Sequence, residues 1–132
     1  MVANLSVPLS GLAAAAKRLQ VSAENVANLR SVGYAPDRSQ REQEGYQARR
    51  VQQVSTASGG VKATPVPISP ASVLSYEPSD PDADAEGLIA RPNVSLEEEL
   101  IEQLLAEKAY KANLKVIEAQ DEMLGRVLDI ES

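Results

Sequence analysis

The densest group of reactive side chains is Asp80, Asp82, Asp84 and Glu86, four carboxylates at alternate positions. Alternating acids of this kind open a calcium-binding EF-hand loop, where several oxygens must surround a hard cation. That loop also needs Gly at its sixth position and a bidentate Glu at its twelfth; here those positions hold Ala85 and Arg91. Residues 77–87 (EPSDPDADAEG) therefore read as an acidic, turn-rich loop punctuated by Pro. Elsewhere reactive groups are sparse. The chain has no His and no Cys, which removes Ser-His-Asp and Cys-His nucleophilic sites, imidazole proton transfer and the usual zinc ligands. Gly59-Gly60 is an isolated turn and not a phosphate-cradling loop. The sequence thus implies no enzyme, no cofactor and no metal.

Amides are the next polar groups with a suggestive spacing. Asn25 and Asn28 stand three apart near the end of an apolar periodic stretch. Two accounts fit them: termination of a helix, since Asn disfavours helix interiors, or hydrogen bonds between subunits. Tyr110 and Asn113 likewise place a phenol and an amide on an otherwise apolar helix, and each would need a partner if buried.

Two long helices must position these groups. From Leu5 to Arg30 the apolar residues Leu5, Leu9, Leu12, Ala16, Leu19, Ala23 and Val26 alternate spacings of four and three. Pro8 is tolerated only in a first turn, so regular helix is expected from about Ser6 or Val7; Gly33 then serves as C-cap region, with Pro36 beyond it. The second helix is expected over Ser95 to Ile130. Ser95 is its N-cap, Glu98 completes a capping box, and Glu97 to Glu99 face the positive end of the dipole. Leu105, Ala109, Ala112, Val116, Ala119, Met123 and Ile130 form a coiled-coil-like seam, beside which Leu100, Leu104, Leu114, Ile117, Leu124 and Leu128 add a second apolar strip. At about 1.5 Å per residue this helix is roughly 50 Å long and cannot cover both strips by itself.

The middle of the chain has another character. Residues 35–45 are polar and aperiodic and read as a loop or partly disordered arm. Tyr46 to Val54 alternates weakly like a strand, Ser58-Gly59-Gly60 turns, and Val61 to Ile68 is a second extended stretch that Pro65, Pro67 and Pro70 confine to an edge. After the acidic loop, Leu88 to Ala90 is a short extended piece leading through Arg91-Pro92-Asn93-Val94 into the last helix. The expected fold is mainly α: paired long terminal helices, coiled-coil-like, with a small irregular β hairpin and loop region between them. Residues 1–34 and 92–132 then form one assembly domain, and 35–91 an insert.

The bulk properties agree with a subunit that needs neighbours. Aromatic residues are only 3% of the chain, Phe and Trp are absent, and Ala contributes much of the hydrophobic content, so the core of a lone chain is thin. Residues 1–62 carry eight bases and four acids, whereas 63–132 carry five bases and fifteen acids. Opposite-signed halves suit head-to-tail association. The acidic balance, without clustered bases among aromatics, argues against nucleic acid. The apolar Leu5–Ala16 run is preceded by no base, so it reads as a helix of the mature protein and not as a cleaved signal peptide. It is also too short to span a bilayer.

Several of these motifs together resemble the flagellar rod, hook and hook-associated axial family. At the N-terminal end the resemblance is carried by Ser10-Gly11-Leu12, Arg18-Leu19, Asn25-Val26-Ala27-Asn28 and Gly33-Tyr34. Further on it includes Pro81-Asp82-Ala83-Asp84-Ala85-Glu86-Gly87, Pro92-Asn93-Val94, Glu98-Glu99 and Ala109-Tyr110-Lys111-Ala112-Asn113. The acidic element joined to Pro-Asn-Val, with the short length, points within that family to the proximal rod of the basal body.

The resemblance implies a structural subunit whose terminal helices form the inner, tube-lining domain. Export would be by the flagellar type III apparatus, without signal cleavage, and assembly would be in the periplasm. Neighbours would be other copies, other rod proteins and the membrane-ring adapter at the rod base. Expected assembly residues are Leu9, Leu12, Leu19, Asn25, Asn28, Gly33, Tyr34, Pro92, Asn93, Val94, Leu105, Ala109, Tyr110, Ala112, Asn113, Val116 and Met123. The alternative is a soluble coiled-coil adaptor that dimerises through residues 95–130.

Overall fold

The computed structural model describes residues 5–31 and 45–130. Its elements are α1 (Ser6–Ala27), β1 (Arg49–Ser55), β2 (Val61–Pro67), β3 (Ser72–Tyr76), β4 (Leu88–Pro92) and α2 (Leu96–Ile130). Gly33, Tyr34 and most of the 35–45 arm lie outside the described residues.

Helix α1 starts with Leu5 at its N-cap, which offers no capping side chain, and Pro8 is buried in the first turn, where its missing N–H leaves no gap. The helix ends where Asn28 folds its side chain back: its Nδ2 donates to the Glu24 carbonyl at 2.8 Å. Helix α2 begins after Ser95, whose Oγ accepts from Glu98 N at a long 3.4 Å while its own proton goes to Glu97 Oε2. Three acids in the first turn favour this end of the helix dipole.

The helices lie antiparallel. Arg18 meets Glu102, Asn25 meets Glu99 and Gly11 meets Asn113, so one index rises as the other falls. Helix α1 sits between α2 and the β1–β2 hairpin. That hairpin pairs Arg49 with Pro67 at its base and Ser55 with Val61 near its tip. Its turn needs Gly59 and Gly60, both at positive φ, and Gly60 passes so close to Ser10 that a Cβ would overlap the hydroxyl. Ser10 Oγ joins the tip to α1, accepting from Val61 N at 3.1 Å and donating to the Val7 carbonyl at 2.7 Å.

Two features correct the mainly α expectation. Ser72–Tyr76 is a strand, pairing antiparallel with the extended piece at Leu88–Pro92 to make a second hairpin, so the fold is mixed helix and sheet. The helix pair also departs from a leucine-lined coiled coil. On α1 the line toward α2 is Pro8, Gly11, Ala15, Arg18, Ser22 and Asn25, and Ala14 and Val21 are buried beside it. Across from it run Glu99, Glu102, Gln103, Ala106, Ala109, Asn113 and Ile117 of α2. Small residues let the backbones approach closely; a Cβ on Gly11 would collide with the Asn113 amide. Polar groups then fix the register.

Candidate functional site

Asn25 is the polar centre of the subunit. It is 1% exposed, and its side chain makes four hydrogen bonds to three parts of the chain. Nδ2 donates to the Arg49 carbonyl and to Glu99 Oε1, both at 2.7 Å. Oδ1 accepts from Tyr46 OH at 2.8 Å and from Arg49 N at 3.1 Å. One amide thus holds α1, the start of β1 and the start of α2 together. Around it Ser22 Oγ donates to the Glu99 carbonyl at 3.1 Å, Arg49 pairs with Glu24, and Arg18 grips Glu102 through Nε at 2.5 Å and a terminal nitrogen at 2.8 Å. The sequence left Asn25 open between helix termination and contacts across subunits. The structure uses its whole bonding capacity within one chain.

Burial pushes the Tyr46 phenol above its usual value near 10; Glu24 and Glu99 act in the same direction and Arg49 opposes them. A raised folded pKa means that the native state holds the proton more tightly than the unfolded chain. The stability it contributes is therefore complete below about pH 10 and is lost as pH rises through the folded value. Tyr46→Phe is expected to cost about 1 kcal/mol at pH 7 and to flatten the alkaline loss. Urea midpoints of the two proteins at pH 7 and above pH 10 check this.

The acidic loop is built by its own carboxylates. Asp80 Oδ1 accepts from Asp82 N at 3.0 Å, and Asp84 Oδ1 accepts from Glu86 N at 3.0 Å and Leu88 N at 2.7 Å. Gly87, at positive φ against Pro78 and Tyr76, closes the loop onto β4. Arg91 clasps Glu77 with contacts of 2.9 and 2.7 Å, and this hydrogen-bonded guanidinium draws the Glu77 carboxyl below its ordinary range. The Pro92-Asn93-Val94 element ties off the same hairpin: Asn93 donates its backbone N–H to Ala71 O and its Nδ2 to Pro70 O, each at 3.0 Å.

The apolar stripes point elsewhere. Leu9 is 53% exposed, Leu19 44%, Leu105 48%, Val116 47% and Met123 59%, with Ala112 exposed beside them. Leu12 and Ala109 are half-buried, and Tyr110 is exposed. Of the expected seam on α2, only Ala109 joins the line facing α1. On α1 the leucine stripe stands roughly a third of a turn from the residues that meet α2, on the side away from the hairpin. From residue 121 to 130 every side chain of α2 is exposed, because the helix runs on past the start of α1. The inward line was present in the sequence as Gly11, Ala15, Arg18, Ser22 and Asn25, also spaced four and three. Its polarity hid it.

The seam between the helices is thus small and polar, and the leucine ridges lie outside it. Comparison with known proteins gives the chain a family. Residues 85–130 match the family described as flagellar basal body rod FlgEFG protein C-terminal. The flagellar basal-body rod protein FlgC of Salmonella typhimurium is 39% identical over 127 residues, covering 92% of this chain and 90% of that protein. The FlgC of Escherichia coli O157:H7 is 37% identical over the same length and coverage, and that of Bacillus subtilis is 29% identical over 143 residues, covering 96% and 95%. The chain belongs to the FlgC family of flagellar basal-body rod proteins.

Proposed function

We propose that this chain is a structural subunit of the proximal rod that polymerises through its terminal helices into the hollow shaft carrying motor torque. The observation behind this reading is the outward placement of the ridges Leu9-Leu19 and Leu105-Val116-Met123, which a lone subunit leaves in water at a cost of about 25 cal/mol for each Å² of apolar surface. Ridges on two helices give each subunit more than one contact direction. A head-to-tail contact that does not close into a ring extends into a helical filament. Torque then passes through many interlocked side chains, and no catalytic group is required.

On this reading the neighbours are copies of the chain, other rod proteins and the membrane-ring adapter. The type III export apparatus delivers the subunit, without signal cleavage, to the periplasmic part of the basal body. No described helix is long and apolar enough to cross a membrane.

Leu19→Asp and Val116→Asp test the reading, since both residues are exposed in the subunit. Each variant is expected to unfold within about 0.5 kcal/mol of the unsubstituted chain, while swimming and recovery of rods are lost. Normal swimming in both would overturn the proposal. A discrete two-chain particle in solution, held by residues 95–130, would favour a coiled-coil adaptor instead.

A further inference from the structure

Each hairpin has one closed edge and one open edge. In β1–β2, hydrogen bonds from Thr56 N to Gly60 O and from Ile68 N to Ala48 O set the narrow pairs at even-numbered residues. The odd-numbered residues therefore turn their backbone groups away from the partner strand. On the outer edge of β2 these are Val61, whose N–H is held by Ser10, then Ala63, then Pro65 and Pro67, which have no N–H to offer. Prolines at outward positions close an edge without disturbing the ladder. On β1, Arg49 is taken by Asn25, but among the described residues nothing bonds the outward backbone groups of Val51, Gln53 and Ser55.

The second hairpin repeats the asymmetry. Bonds from Glu77 N to Gly87 O and from Asn93 N to Ala71 O place Ser72, Leu74 and Tyr76 outward on β3, and Leu88, Ala90 and Pro92 outward on β4. Asp84 occupies both backbone groups of Leu88, Pro92 lacks an N–H, and the Pro92 carbonyl accepts from Val94 N. The β3 edge has no such closure. Among the described residues nothing bonds the backbone groups of Ser72, Leu74 or Tyr76, and the side chains of Leu74 and Tyr76 are 56% and 71% exposed.

Charge indicates which open edge fits which. Residues 46–76 contain Arg49, Arg50 and Lys62 and no acid; residues 77–87, which continue β3, contain five acids and no base. Arg50 and Lys62 lie exposed on the face of the first hairpin turned away from α1.

We infer that the open edge of β3 in one subunit pairs with the open edge of β1 in the next copy, adding a β contact to the helix contacts of the polymer. Backbone bonds supply the attachment, the prolines disfavour β2 and β4 as partners, and the basic hairpin set against the acidic loop favours a β1–β3 pair between two copies. The contact is heterologous, so it repeats from subunit to subunit. The inference rests on the polymerisation reading above.

The chain has no native cysteine, so introduced thiols are unique. Cells carrying Gln53→Cys and Leu74→Cys together are treated with a short bismaleimide, and basal bodies are resolved by mass. The expected result is crosslinked multiples of this chain, absent from either single variant. As a second reading, Leu74→Pro removes an outward N–H and an exposed side chain but no ladder bond; it is expected to leave the melting temperature of the free subunit nearly unchanged and to abolish swimming. Ala63→Pro, on the closed edge, is expected to swim normally.

The inference is overturned if the thiol pair gives no multiples while a Leu19→Cys and Val116→Cys pair does, an outcome that leaves the helical polymer standing. It is also overturned if Leu74→Cys joins only a different rod protein, or if Leu74→Pro swims normally. Normal swimming of Leu19→Asp and Val116→Asp would remove the polymerisation reading itself.

Discussion

Replacing Asn25 by alanine is expected to lower the unfolding free energy by about 3–5 kcal/mol, because several buried groups lose their partner at once and each orphan costs about 1–3 kcal/mol. The Arg49 N–H, the Arg49 carbonyl and the Tyr46 hydroxyl all turn toward this one amide. Small domains are stable by only about 5–15 kcal/mol, so a loss of that size brings the subunit close to unfolding at ordinary temperature. The near-isosteric Asn25→Asp separates shape from bonding. It keeps the two acceptor contacts, but it loses both donor bonds, to the Arg49 carbonyl and to Glu99, and sets a second carboxylate beside the first. Its defect should therefore ease as pH falls toward the carboxylate range, whereas that of Asn25→Ala should not follow the same course. Urea unfolding of both variants at pH 7 and near pH 4 is the check.

The second large effect concerns assembly and leaves the fold alone. Removing residues 121–132 takes away Met123, Leu124, Val127, Leu128 and Ile130, each at least 43% exposed, from the part of α2 that runs past α1. A Cβ built on Gly125 meets nothing within 4 Å, which shows how open this stretch is. The truncated subunit should unfold within about 0.5 kcal/mol of the complete chain, since the described side chains it loses, 121–130, are all exposed. Rods and swimming should both be absent, because the segment with the most uncovered apolar surface is gone. A truncated chain that still builds rods would show that the overhang carries no contact.

The contrast between these two effects explains what could be read in advance. Both helices were legible, since four-three spacing over more than twenty residues leaves few other conformations. The first hairpin was legible from Gly59-Gly60 and from prolines that only an edge accepts. Strand β3 was not: Ser72–Tyr76 follows Pro70, has no clean alternation, and is separated from β4 by eleven residues whose order comes from Asp80 and Asp84 side chains bonding their own backbone. Such local bonds leave little trace in a hydrophobic pattern.

The inward face of the helix pair was hidden for a different reason. Periodicity finds the greasiest stripe, here Leu5, Leu9, Leu12 and Leu19, and does not say which line of α1 meets α2. In this subunit the interior line is Gly11, Ala15, Arg18, Ser22 and Asn25. Close approach and complementary polar groups join α1 to α2, which leaves Leu5, Leu9 and Leu19 exposed. Arg18 opposite an acid-rich helix start was the available clue, since an arginine at a heptad position is costly to cover without a carboxylate to meet it.

Solvent access of the leucine ridges before and after assembly tests the account most directly. Single cysteines at Leu19, Val116 and Met123 can be followed by maleimide labelling in the free subunit and in intact basal bodies. All three should label rapidly when free and be strongly protected once built in. Equal labelling in both states would mean that the ridges stay wet, and the assembly account would be contradicted.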